Sequence, residues 1–133
     1  MKKLLILILV LVAIAAGFIP VVTTNMAAKA FERPNDLSSQ ESLKEAIEWK
    51  MRLYMFTEAR RIAEKAIVWF PESEHIDAFI YCAAHSAERD GVPSAAIYWY
   101  SRFLEIFPEH PWSAQVRANL ERLKAKSATG KGA

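Results

Sequence analysis

His75, His85, His110 and Cys82 are the side chains of this chain best suited to metal or nucleophilic chemistry, and their spacing supports neither. His85 and Glu88 stand three residues apart, which places an imidazole and a carboxylate one helical turn from each other. A zinc ion needs at least three protein ligands, and no third lies at a defined spacing. Cys82 has no CxxC companion and, as the only cysteine, cannot form an internal disulfide. Its default role is that of a small buried apolar side chain. No glycine-rich phosphate loop, nucleophile elbow or paired-carboxylate signature occurs. The sequence therefore predicts a protein that is not an enzyme and holds no cofactor and no metal. What remains is recognition. Trp49, Trp69, Tyr98 and Trp99 fall off the apolar helical stripes, and large aromatics with no place in a core are common anchors of protein interfaces. Trp69, Tyr98 and Trp99 are the candidates for an outer interface, with packing between successive helices the competing role for Trp69 and Trp99.

Five helices must position these side chains. Apolar periodicity predicts them over 39–53, 58–70, 74–89, 94–107 and 111–126. The first turns Leu43, Ala46, Ile47 and Lys50 inward, and the second Ala59, Ile62, Ala63, Ala66, Ile67 and Phe70. The third turns in Ile76, Phe79, Ile80, Ala83, Ala84 and Ala87, the fourth Ala96, Ile97, Tyr100, Phe103 and Leu104. Trp112, Val116, Leu120 and Leu123 continue the pattern in the fifth. Ser38 with Glu41 reads as a capping box, Ser73 as a second cap, and Pro93 sits in a first turn, where a missing amide costs little. No strand-like alternation competes.

After Met1-Lys2-Lys3 an apolar run extends from Leu4 to Val22, softened only by Gly17 and Pro20. At roughly 1.5 Å per residue it nearly matches the roughly 30 Å hydrocarbon core of a bilayer. Secretory signals carry about 7–15 apolar residues ahead of a small-residue cleavage site. Ala13-Ile14-Ala15 and Ala28-Lys29-Ala30 have that form, so a cleaved, secreted or periplasmic protein is the alternative. The expectation is a retained anchor over 1–22, with Lys2 and Lys3 cytoplasmic and the rest outside. Residues 23–40, with Pro34, Asn35 and Asp36, read as a linker, and 127–133 as a disordered tail. Beyond Ala30 stand 14 of the 17 basic residues and all 15 acidic ones, a net charge of −1. No basic stripe is present to track phosphates, which argues against nucleic acid as a partner.

Two stretches repeat 37 positions apart. Tyr54-Met55-Phe56-Thr57-Glu58-Ala59, then Ala63, Ala66, Phe70 and Pro71, is echoed by Gly91-Val92-Pro93-Ser94-Ala95-Ala96, then Tyr100, Phe103, Phe107 and Pro108. Each is a turn, a helix with a small residue near its start, and an aromatic-proline stop, as in helical-pair repeats. From about Gln40 to Lys126 the chain resembles tetratricopeptide repeats, the bacterial envelope type above all. Small residues fall where two helices cross, at Ala59 and Ala66 and at Ala83, Ala84 and Ala96, which lets antiparallel helices approach closely. Ile47 and Phe103 depart from the small residues of the family, Leu43 and Ile80 replace its tryptophan, and the spacing exceeds its 34 residues by three. Coiled-coil and four-helix-bundle folds are the alternatives.

The resemblance implies an all-α fold: antiparallel helix pairs in a short superhelix of about two repeats plus a terminal helix, over 41–126, behind one transmembrane helix. It also implies a protein-binding groove lined by Lys44, Glu48, Met51 and Arg52 of the first repeat and Tyr81, His85, Glu88 and Arg89 of the second. Two repeats are fewer than the three or so that usually cover their own faces, so a partner subunit, a second copy or the linker is expected to complete them. The function expected is that of a membrane-anchored adaptor or scaffold binding partner proteins on the periplasmic side of a bacterial inner membrane. The alternative is a small accessory subunit of a respiratory, secretion or envelope complex, held mainly by its transmembrane helix.

Overall fold

The computed structural model describes residues 1–34 and 36–130. The described residues form six helices and no strand: α1 (Lys2–Glu32), α2 (Leu37–Arg52), α3 (Phe56–Trp69), α4 (Ile76–Arg89), α5 (Pro93–Ile106) and α6 (Ser113–Gly130). Each helix packs on the next in the chain and α2 also touches α4, so that antiparallel neighbours follow one another through the array. The all-α class and the long apolar first helix expected from the sequence are both present.

The 37-residue period is a property of the backbone as well. α3 and α5 begin one period apart, at Phe56 and Pro93, and end one period apart, at Trp69 and Ile106. Arg52 and Arg89 end α2 and α4 in the same register, and Ile76 and Ser113 begin α4 and α6. The turn residues Tyr54 and Gly91 both have positive φ, 59° and 76°. Beside them the amides of Met55 and Val92 donate to the carbonyls of Lys50 and Ala87, each at 2.9 Å, which occupies acceptors that a helix end leaves free. At the other end Phe70 donates to Ala66 at 2.8 Å and Phe107 to Phe103 at 2.7 Å, ahead of Pro71 and Pro108. Proline has no amide hydrogen and stops the helix there.

α1 keeps the same period, and here the structure departs from the expected linker over 23–40. The helix runs on through Glu32, one period before Trp69. Its C-cap Arg33 has φ −126° and ψ 65°, against −129° and 59° at Phe70 and −125° and 68° at Phe107. Pro34 stands one period before Pro71. The long apolar helix therefore ends as the helices of the repeats end, and its last third packs as one of them. Two caps also differ. Asp36, not Ser38, caps α2 by accepting from the Ser38 amide at 3.0 Å, which holds its carboxyl below the usual value. Ser73 accepts from the His75 amide at 3.1 Å, two residues ahead of α4. At the other terminus α6 continues to Gly130 where a disordered tail was expected; 131–133 lie outside the described residues.

The core has two parts. Ala27 and Ala30 of α1 join Leu43, Ala46 and Ile47 of α2, Ala59, Ala63, Ala66 and Phe70 around α3, and Phe79 of α4. Ile80, Ala84, Ala87, Ala96, Tyr100, Phe103, Val116, Leu120 and Leu123 form the second. Alanine at the helix contacts brings backbones close, and Ala84 and Ala96 are both fully buried between α4 and α5. Lys50 lies among the apolar side chains of the first part, fully buried. Its Nζ donates to Thr24 Oγ1 of α1 at 3.0 Å and to Glu58 Oε2 of α3 at 2.7 Å, so one ammonium ties three helices. Phe31 completes the cover. Its ring meets Trp69 edge-on at 5.7 Å and stacks on Phe70 at 6.1 Å, with Lys65 Nζ 4.2 Å above it.

Candidate protein-binding face

α2 and α4 lie side by side and present their outer residues at the four-residue spacing that aligns side chains along a helix. On α2, Lys44 and Glu48 pair at 3.8 Å, and the Arg52 guanidinium sits 5.2 Å over the Trp49 ring. On α4, Tyr81 and His85 stack at 5.9 Å with planes 5° apart. Met51, Arg52, His85 and Arg89 come together with Tyr54 and Phe56 around a shallow concavity of about 450 Å³. Four of the eight groove residues expected from the sequence thus share one opening, and Lys44 and Glu48 extend the same helix face away from it.

Two of the eight are engaged within the fold. Tyr81 is half-buried against Trp112 at 5.4 Å, Tyr100 at 6.3 Å and Phe103 at 6.5 Å. Glu88 accepts from the Tyr100 hydroxyl at 2.8 Å and pairs with Arg122, so it joins α4 to α5 and α6. Burial, reinforced by Glu88, raises the Tyr100 hydroxyl well above its usual pKa and keeps it a donor. Burial likewise pushes the Cys82 thiol up to about 12, which keeps it protonated and inert.

His85 is the most unusual group on this face. Its Nδ1 is buried with no hydrogen-bond partner among the described residues. Burial lowers its pKa, Glu88 works against that shift, and Arg89 and Arg122 add to it. The neutral imidazole lies on Tyr81 and edge-on to Phe56 at 6.5 Å, so the ring packs as part of the wall of the concavity and its Nδ1 faces the interior. The described residues contain no cluster of three or more metal-ligating side chains.

The outer aromatics divide. Trp99 is half-buried and its Nε1 donates to Glu64 on α3 at 3.1 Å, so it packs between helices. Trp69 is half covered by Phe31, with Lys65 5.7 Å from its ring. Tyr98, at 57 % exposure, remains open. Sequence reasoning missed Tyr54 and Phe56 as lining residues and Phe31 as the cover of Trp69. The signal for Phe31 was available in the equal spacing of Pro34, Pro71 and Pro108, which marks 23–33 as the end of a repeat helix. Compared with protein-family models, with curated proteins and with solved structures, the chain matches none.

Proposed function

We propose that the protein is a membrane-anchored, tetratricopeptide-like module that holds partner proteins on the periplasmic side of a bacterial inner membrane. The observation that supports this best is the joint between anchor and array. α1 is long and apolar enough to cross a membrane, none of its most apolar stretch is buried, and the same helix then supplies Thr23, Ala27 and Ala30 to the core. A flexible tether would leave the array free to wander; this joint holds it at one height above the bilayer. Cleavage after Ala30 would strip the cover from Lys50, whose charge would lose its Thr24 partner. The packed last third of α1 therefore argues against cleavage after Ala30, and a retained anchor would leave Lys2 and Lys3 on the cytoplasmic side.

The face between α2 and α4 carries mixed charge and an open aromatic mouth, which suits an extended or helical peptide from a partner. The test is co-purification from native membranes after gentle detergent extraction, with the wild type against Glu48→Arg. Glu48 is partly exposed and, among the described residues, pairs only with Lys44 on its own helix, so the fold should tolerate the change. Loss of the partner with an unchanged melting temperature is the expected result. An unchanged partner set in the variant would move the contact to α1 and Tyr98. That outcome is the accessory-subunit reading, which the bare apolar flank of α1 supports.

A further inference from the structure

The end of the array that carries the α2–α3 and α4–α5 turns lies on the side of the transmembrane span, and two independent features set its height. α2 runs back along α1, and Lys50 grips Thr24, two residues beyond the apolar run. Trp49 lines one apolar cavity of about 340 Å³ with Ala15, Phe18, Ile19, Val22 and Met26, all on the flank of the span or its edge. Three residues past Lys50, the α2–α3 turn is thus level with the outer boundary of the hydrocarbon. The repeat register sets the turn a little deeper, beside the last residues of the apolar run, since Tyr54 and Phe56 stand one period after Gly17 and Ile19.

The chemistry of this end matches that location. Its carboxylates are occupied: Glu58 by Lys50, Glu88 by Tyr100 and Arg122, and Asp90 by Thr57 and Arg60. Among the described residues Arg52, Arg89 and Lys126 have no carboxylate partner, and Arg52 and Arg89 lie over the rings of Trp49 and Phe56. Tyr54 adds a second argument. It holds a positive φ of 59° that a bulky L-residue rarely adopts, at the position where the next repeat has Gly91, and the residue is 76 % exposed. A strained, exposed tyrosine sharing a concavity with Arg52 and Arg89 is the composition of a water–bilayer interface.

We propose that this end of the array, through Trp49, Arg52, Tyr54, Arg89 and Lys126, docks on the headgroup layer of an anionic bilayer. The proposal rests on the membrane-anchor reading and names the surface on which the array sits. The cations neutralise lipid phosphates, Trp49 and Tyr54 enter the interface, the concavity lined by Arg52, Tyr54 and Arg89 closes on the headgroups, and the Lys44–Glu48 stretch of α2 stays open to a partner.

Amide hydrogen exchange on the full chain, reconstituted in phosphatidylcholine vesicles with and without about 30 % phosphatidylglycerol, tests it. Exchange in peptides spanning 51–57 and 89–94 should slow at least about tenfold when the anionic lipid is present, because each cation near such a surface contributes about fivefold. Arg52→Gln with Arg89→Gln, or about 1 M salt, should abolish the difference. Tyr54→Asn should weaken it while leaving the melting temperature equal or higher, since asparagine tolerates the left-handed turn. Equal exchange in the two vesicles, with 4–22 protected in both, overturns the docking and leaves the anchor standing. Slowing that follows a co-purified protein and not the lipid also overturns it. Unprotected 4–22 in either vesicle removes the anchor and the docking together.

Discussion

Lys50 shows how one residue decides between alternatives. It occupies the register position of Ala87 in the next repeat, and instead of a methyl group it places an ammonium among the apolar side chains of three helices. A buried charge is tolerable only when paired, and its carboxylate partner Glu58 is itself about half exposed. Removing the charge and removing its partner are therefore unequal insults. Lys50→Met keeps the volume and should cost less than about 1.5 kcal/mol. Glu58→Ala leaves the ammonium with Thr24 and no countercharge and should cost about 1–3 kcal/mol. Chemical denaturation of the two variants gives the order, and the reverse order would mean that Lys50 is held by packing alone. His85 makes a second prediction at this scale. Its pKa in the fold lies below the usual 6.5, so between those two values the unfolded chain binds more protons than the folded one. Its contribution is fully present above the usual value and is lost as pH falls toward the lowered one. The stability of wild type should decline on acidification through that window relative to His85→Gln, measured by melting at a series of pH values.

At the scale of the element, the alanines set how closely helices approach. Ala96 is fully buried where α4 meets α5, and Ala96→Leu should overpack that crossing by about 1–3 kcal/mol, seen as a fall in melting temperature. Much of this level was legible in the sequence. The 3.6-residue stripes placed α2 to α6 within a few residues, because the same side chains that fill the core write the period. Even Lys50 was read as inward-facing, by position and not by polarity. The misses have physical causes. Residues 23–33 contain few large apolar side chains, so the helix there carries almost no stripe, and its packing uses Thr23, Ala27 and Ala30. The proline period was present, but Pro34 among polar neighbours reads as a loop until the neighbouring helix ends are seen to match it. Tyr81 and Glu88 were read as groove residues from their register on α4. Their engagement depends on Tyr100 and Phe103 of α5 and on Trp112 and Arg122, which only the folding back of α5 and α6 brings near.

The whole molecule is best understood from the continuity of α1. The helix that is bare over its apolar run becomes the first packed helix of the array, pinned by Lys50 to Thr24 and by Phe31 against Trp69 and Phe70. That joint fixes the α2–α4 face and the two turns relative to the apolar helix, and covers the end that so short an array would otherwise leave open. The central claim is that anchor and array form one folded unit with no tether between them. Limited trypsin digestion of the full chain in mild detergent tests it at the Lys29–Ala30 bond. The Lys29 side chain is exposed, but its backbone is helical and Ala30 is buried. The account predicts that this bond is cut no faster than the array unfolds, and that Lys50→Ala accelerates cutting there. Rapid cleavage at Lys29 that leaves a fully folded, stable array would contradict it and restore a flexible linker.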